Sequence, residues 1–199
     1  IQGGFNGVNI FDTDTANLTE AAAKGEMDDS TRGQRSGPTV SAYFRALDVM
    51  ADKSDVDIQL LAIPGIRQTV VTDQAILKVE DRFDALYLMD IEERDNVNTV
   101  VTSSIQKDKI SVANTVTSFN GRNLDTSFAA AYFPDVTMAV AQKSLDVQTK
   151  VIREQTTQVV VPPSVAVLGA FSANDRVAFP WFAPAGFTRG ALRSVSEVK

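Results

Sequence analysis

The chain has 199 residues, 44% of them hydrophobic and 22% charged, which is enough for one substantial domain or two small ones with a real core. Its formal charge of -6 and pI near 4.7 exclude a clustered cationic surface for direct nucleic-acid binding, since 19 basic residues lie scattered among 25 acidic ones. With neither cysteine nor histidine, the chain excludes disulfides, thiol nucleophiles, the usual structural zinc sites and Ser-His-Asp or Cys-His catalysis.

No stretch approaches the ~20 apolar residues of a membrane span, so no membrane insertion is expected. The opening IQGGFNGVNIF lacks the organisation of a signal peptide. Residues 1–12 combine Gly3, Gly4 and Gly7 with Phe5, Val8, Ile10 and Phe11, a glycine-rich turn followed by a short strand. Residues 13–38 are polar and read as a surface excursion with one short helix at 18–24. A helix is expected over about 39–52, where Tyr43, Leu47 and Met50 recur at helical spacing after Pro38.

DIQLLAIPG, residues 57–65, reads as a strand buried on both faces and ending in Pro64 and Gly65. A helix follows over 69–83, with Thr72, Ile76, Val79 and Phe83 on one face, and DALYLMDIEE at 84–93 is a second apolar strand with an acidic end. Helical spacing resumes in Val101, Ile105, Val112, Val116 and Phe119, stopping at Asn120-Gly121. This alternation predicts an α/β fold, with a mostly parallel central sheet flanked by helices. Residues 126–140 supply a third long extended segment, and 147–161 alternate as a half-exposed strand or hairpin (Val147, Thr149 and Val151). Pro162 and Pro163 end the sheet ladder and start a small, apolar, buried helix running from about Ser164 to Asn174.

Candidate chemistry is sparse. Asp90, Glu92, Glu93 and Asp95 follow a predicted parallel strand, where carboxylates can hold magnesium; a solvated acidic loop is the plainer reading. GGFNG at 3–7 is neither a Walker loop nor G-x-G-x-x-G. Asp12 and Asp14 lack the rest of a calcium loop and read as a capped turn. Ser164, with no histidine or Ser-x-x-Lys beside it, reads as a helix start. Phe179, Trp181 and Phe182, set among prolines, read as an edge plug or assembly contact, against a ligand cage.

The ordered motifs resemble the core of contractile tail sheath proteins, found in phages with contractile tails and in related injection machines. GGFNG at 3–7 is similar to the family's Gly-Gly-x-Asp-Gly, with Asn6 replacing Asp. YFRALDVMADKSDVDIQLLAIPG at 43–65 looks like the family's helix, Asp-rich turn and strand ending in Pro-Gly, and FDALYLMDIEE looks like the next strand. SFAAAYFPDVTM, with Tyr132 and Pro134, is similar to Ala-x-Tyr-x-Pro. VPPSVAVLGAFSANDRVAFPWFAPAG resembles Val-Pro-Pro-Ser, a small-residue helix, Asp-Arg and a Trp-containing loop closing in Pro-Ala-Gly. The matching positions there are Pro162, Pro163, Ser164, Gly169, Asp175, Arg176, Trp181, Pro184, Ala185 and Gly186.

The resemblance implies a tail-sheath core over 1–190 with subtilisin-like topology, a polar insertion at 13–38 and an antiparallel or hairpin extension at 140–161. Without histidine, that topology implies no proteolysis. Residues 191–199 read as the start of a linker or helix towards the C-terminal domain that the family carries, so a longer polypeptide is expected. The implied function is structural and non-enzymatic, with no cofactor. Copies of the full-length chain form a helical sheath around the tail tube, and a baseplate signal triggers contraction that drives the tube through the target envelope. The implied partners are further copies, tube proteins and baseplate proteins; the implied location is the virion tail, assembled in the host cytoplasm. The present stretch alone is expected to be monomeric. The alternative is a Mg-dependent nucleotide- or phosphate-binding α/β enzyme using Asp90, Glu92 and Glu93.

Overall fold

The structure, a computed structural model, describes residues 27–101, 110–145, 152–179, 181–192 and 194–198. The element order is α1 (Pro38–Ala51), β1 (Leu60–Ala62), α2 (Thr69–Arg82), β2 (Leu86–Asp90), α3 (Val112–Asn120), β3 (Ala129–Tyr132), β4 (Val136–Leu145), β5 (Ile152–Val161), α4 (Pro163–Val177), α5 (Gly186–Arg189) and β6 (Val195–Val198). The chain divides into two compact units, one of Ile1–Gln59 with Ile66–Ala85 and one of Leu60–Gly65 with Leu86–Lys199.

In the first unit the polar segment before α1 folds into turns. Asp29 Oδ1 accepts the backbone N–H groups of Thr31 and Arg32 at 2.9 and 2.8 Å, and these bonds hold its carboxyl below the usual carboxylate range. Gly37 must be glycine, because a Cβ there would lie 1.6 Å from the Arg32 carbonyl oxygen. Pro38 then opens α1 at a position where a missing N–H costs nothing.

α2 forms where expected. Val71, Thr72, Ala75, Ile76, Val79 and Arg82 make its buried stripe at spacings of three and four. Phe83 departs from the expected face: it caps α2 in the left-handed conformation (φ 61°) and is 75% exposed. Helix geometry ends at Arg82, so the side chain one residue later leaves the stripe.

The turn before α1 is tied to α2 by Arg35 Nη2 to Gln74 Oε1, and α1 itself by Lys78 Nζ to Asp48 Oδ1, each at 2.8 Å. Arg82 fastens their C-terminal ends. It donates to the Met50 carbonyl, to the Val56 carbonyl at 3.0 Å and to both Asp84 oxygens at 2.8 and 3.3 Å. Met50 lies in the last turn of α1, so the guanidinium satisfies a carbonyl that the helix cannot. The same guanidinium holds the Asp84 carboxyl below its ordinary range.

The second unit holds both sheets. β1, β2 and β3 form a parallel three-stranded sheet in that order, with Leu60 opposite Leu86 and Tyr87 opposite Ala129. β5, β4 and β6 form an antiparallel three-stranded sheet, in which Val136 pairs with both Val161 and Val198. The molecule is therefore mixed α/β.

In the parallel sheet β2 lies between the other two strands, and Tyr87, Leu88, Met89 and Asp90 are all essentially inaccessible. β1 has three residues, lies at the edge of the sheet among the described residues and leaves Leu60 36% exposed, which corrects its expected burial on both faces. The extended segment expected over 126–140 is two strands in different sheets, parted at the cis Phe133–Pro134 bond; proline has no N–H with which to continue a ladder. The hairpin expected at 140–161 is the β4–β5 pair; Val147, Thr149 and Val151 lie outside the described residues. The end of the chain departs from a linker or helix, since β6 pairs with β4 there.

α3 begins only at Val112, because Ser111 is its N-cap and accepts the Asn114 N–H at 3.4 Å. Val101 is not part of a helix: its N–H donates to the Glu93 carbonyl at 2.8 Å. Ile105 lies outside the described residues, and Val112 and Val116 are exposed while Thr115 is buried. The expected apolar face thus gives way to a polar anchor, in which Thr115 Oγ1 accepts the Arg94 N–H at 2.9 Å and donates to the Ser111 carbonyl at 2.9 Å.

Candidate functional site

β2 carries its chain into the interior and leaves Asp90 as its last residue, 1% exposed. The β1 end turns at Pro64-Gly65, where Gly65 adopts φ 80°, a conformation that glycine takes without strain. That turn aims the Gly65 N–H at Asp90 Oδ2, 3.0 Å away. The prolines at 162 and 163 end β5 and begin α4, and Ser164 follows in the first helical turn, where backbone N–H groups have no helical acceptor. Its N–H donates to Asp90 Oδ1 at 2.9 Å and its hydroxyl to Asp90 Oδ2 at 2.7 Å. One carboxyl group therefore joins the β1 turn, the β2 end and the α4 start.

A carboxylate offers about four lone-pair positions, and three of those on Asp90 are used within the protein. Glu92 turns to Arg94, whose Nη2 lies 3.3 Å from Glu92 Oε2. Buried Glu93 accepts the Asp135 N–H at 2.9 Å, just past Pro134. Asp95 organises its own loop, accepting the N–H groups of Val97 and Thr99 at 3.0 and 2.8 Å. The acidic strand end thus disperses over four different sets of partners. Among the described residues no group of three Asp, Glu, His or Cys side chains is placed to hold a metal ion.

The far end of α4 leads into the aromatic loop. Asp175 and Arg176 are exposed, and Asn174 Nδ2 donates to the Phe182 carbonyl at 2.9 Å, drawing the loop back over the helix end. Phe179 and Trp181 stack with centroids 4.8 Å apart, Phe182 meets Phe179 edge-on at 5.8 Å, and the Arg189 guanidinium lies 5.0 Å from the Phe182 ring centre. The cluster faces outward, with Trp181 75% exposed. Pro184 and Gly186 carry the loop into α5. Beside the cluster lies a cleft of about 380 Å³ lined by Arg176, Val177, Ala178, Phe179, Phe182 and Arg189.

Of the sequence motifs, Pro64, Gly65, Asp90, Pro162, Pro163 and Ser164 meet in one place. Tyr132 pairs in register with Asp90 on the neighbouring strand, and burial raises the pKa of its hydroxyl. Asp175, Arg176, Trp181, Pro184 and Gly186 belong to the α4 end and its loop instead. Gly3, Gly4, Gly7, Asp12, Asp14 and the helix expected at 18–24 lie outside the described residues. Sequence reasoning missed the Asp90–Ser164 bond and the Arg82 fastening. Each had a signal: an aspartate closing an apolar strand, and an arginine ending a buried helical stripe.

Comparison with family models, with curated proteins and with solved structures found no match. No helix among the described residues is long and apolar enough to cross a membrane.

Proposed function

We propose that this chain is the core of the subunit of a contractile tail sheath, with tail-sheath-core, subtilisin-like topology. Its role is structural and non-catalytic. Copies of the full-length polypeptide stack around the tail tube of a virion, assembled in the host cytoplasm, and rearrange their contacts on a baseplate signal to drive the tube through the target envelope. No nucleotide or cofactor is required, because the free energy is held in the interfaces at assembly.

One observation carries the reading. Three of the segments that resemble the sheath family, namely IPG at 63–65, the strand ending at Asp90 and VPPS at 161–164, converge on a single buried carboxyl group. Conformationally limited prolines, a positive-φ glycine and a saturated carboxyl group are what a force-transmitting body needs, because each removes a local degree of freedom. Residues 13–38 and the β4–β5 hairpin are then additions to that body.

Gold-labelled antibodies raised against this chain, applied to virions of the phage that encodes it, are expected along the tail shaft between head and baseplate. Labelling confined to the head, the fibres or the free protein pool would overturn the proposal.

A further inference from the structure

Between Arg176 and Ser196 the sequence places three arginines and no carboxylate, in a chain whose total charge is -6. The same stretch carries Phe179, Trp181, Phe182 and Phe187, and each of these rings is exposed, Phe187 completely. Apolar rings beside arginines, with acids scarce among them, are the composition of an interface core. Arg176 and Arg189 both line the cleft of about 380 Å³, together with Val177, Phe179 and Phe182. Arg176 is exposed and makes no ion pair among the described residues. Asp175 precedes it in the sequence and does not line the cleft.

The loop that walls the cleft is held in place by its own bonds. Asn174 Nδ2 donates to the Phe182 carbonyl and the Phe182 N–H to the Phe179 carbonyl, each at 2.9 Å. Gly190 closes α5 against Pro184, where a Cβ would stand 2.6 Å from the Pro184 carbonyl oxygen. Phe179, Trp181 and Phe182 contact one another, so they form one apolar wall, and the room for a partner is the cleft beside them. A wall fixed in this way loses little conformational entropy on binding.

We propose that this cleft binds a peptide segment of another protein in which carboxylates flank a large apolar side chain. The apolar side chain lies in the cleft against the aromatic wall. The carboxylates meet Arg176 and the N–H donors of Arg189, whose contact with the Phe182 ring leaves its guanidinium edge able to donate. The cleft is at the small end of ligand sites, which start near ~300 Å³, so a short segment fills it. An anionic bilayer fits less well, because it would face the whole net-negative chain, whereas a single segment meets the local arginines. The site goes beyond the sheath reading and does not depend on it.

Trp181 is the chain's single tryptophan, so its emission reports on this loop. The probes are acetyl-Glu-Asp-Leu-Phe-Asp-Glu-amide and three relatives: one with Ala-Ala for Leu-Phe, one with Gln and Asn for the acids, and one with Lys for the acids. Titration calorimetry on the purified chain measures binding, and Trp181 emission locates it. The acidic Leu-Phe peptide is expected to bind saturably, to shift Trp181 emission and to weaken as salt is added. It should bind at least about tenfold more tightly than each relative. Arg176→Glu should weaken it by about tenfold or more and Arg176→Lys far less, with melting temperature unchanged in both because the side chain is exposed. Absence of binding overturns the proposal, as does binding that leaves Trp181 emission unmoved, fails to discriminate among the peptides or ignores Arg176→Glu. Phosphatidylglycerol vesicles that shift Trp181 emission where the peptide does not would assign the patch to a lipid surface and overturn it too. Helical tubes of the full-length polypeptide together with no peptide binding would sink this site and leave the sheath reading standing; peptide binding by a protein that never builds tubes would do the reverse.

Discussion

Asp90 shows how one side chain decides what a site can do. It sits where an open α/β sheet usually offers a ligand position, yet its oxygens are already taken by Gly65 and Ser164. Removing the carboxyl leaves three buried donors without an acceptor, at about 1–3 kcal/mol each with partial relaxation. Asp90→Ala is therefore expected to destabilise the protein by roughly 3–5 kcal/mol, and Ser164→Ala by about 1–2, since Asp90 then keeps two of its bonds. Asp90→Asn should fall between them, because the amide retains one accepting oxygen and turns an NH₂ towards donors. Denaturant midpoints at unchanged m-value would give this order. Equal effects from all three variants would mean that the bonds are incidental to packing.

At the scale of elements, legibility followed local period. α2 was readable because its buried stripe repeats every three or four residues over 14 residues, and α4 because two prolines mark its start. α3 was misread because Val112, Val116 and Phe119 mimic a buried face, whereas the helix is held through Ser111 and the hydroxyl of Thr115. Two expected changes follow. Ser111→Ala should cost about 1 kcal/mol as a lost N-cap. Thr115→Val, equal in shape, should cost about 1–3 kcal/mol, because the Arg94 N–H loses its acceptor. Amide exchange at Arg94 should accelerate in Thr115→Val and not in Val116→Thr; the opposite result would restore the apolar-face reading. β3 and β4 read as one segment since Pro134 lies inside an otherwise continuous extended run. The Asp90–Ser164 bond spans 74 residues, and no local period encodes a pairing at that range.

At the scale of the whole molecule, the sheath reading links a stiff centre to exchangeable surfaces. The centre is the convergence of three segments on Asp90, and the exposed surface is the aromatic loop that follows α4. Polar, salt-sensitive contacts can be traded between two arrangements, where a large apolar interface would hold one. The most direct measurement is negative-stain electron microscopy of the full-length polypeptide, purified alone and with its tail tube and baseplate. Long hollow tubes with a regular helical repeat are the predicted result. Dispersed particles in both preparations, with tubes and baseplates left bare, would contradict the account.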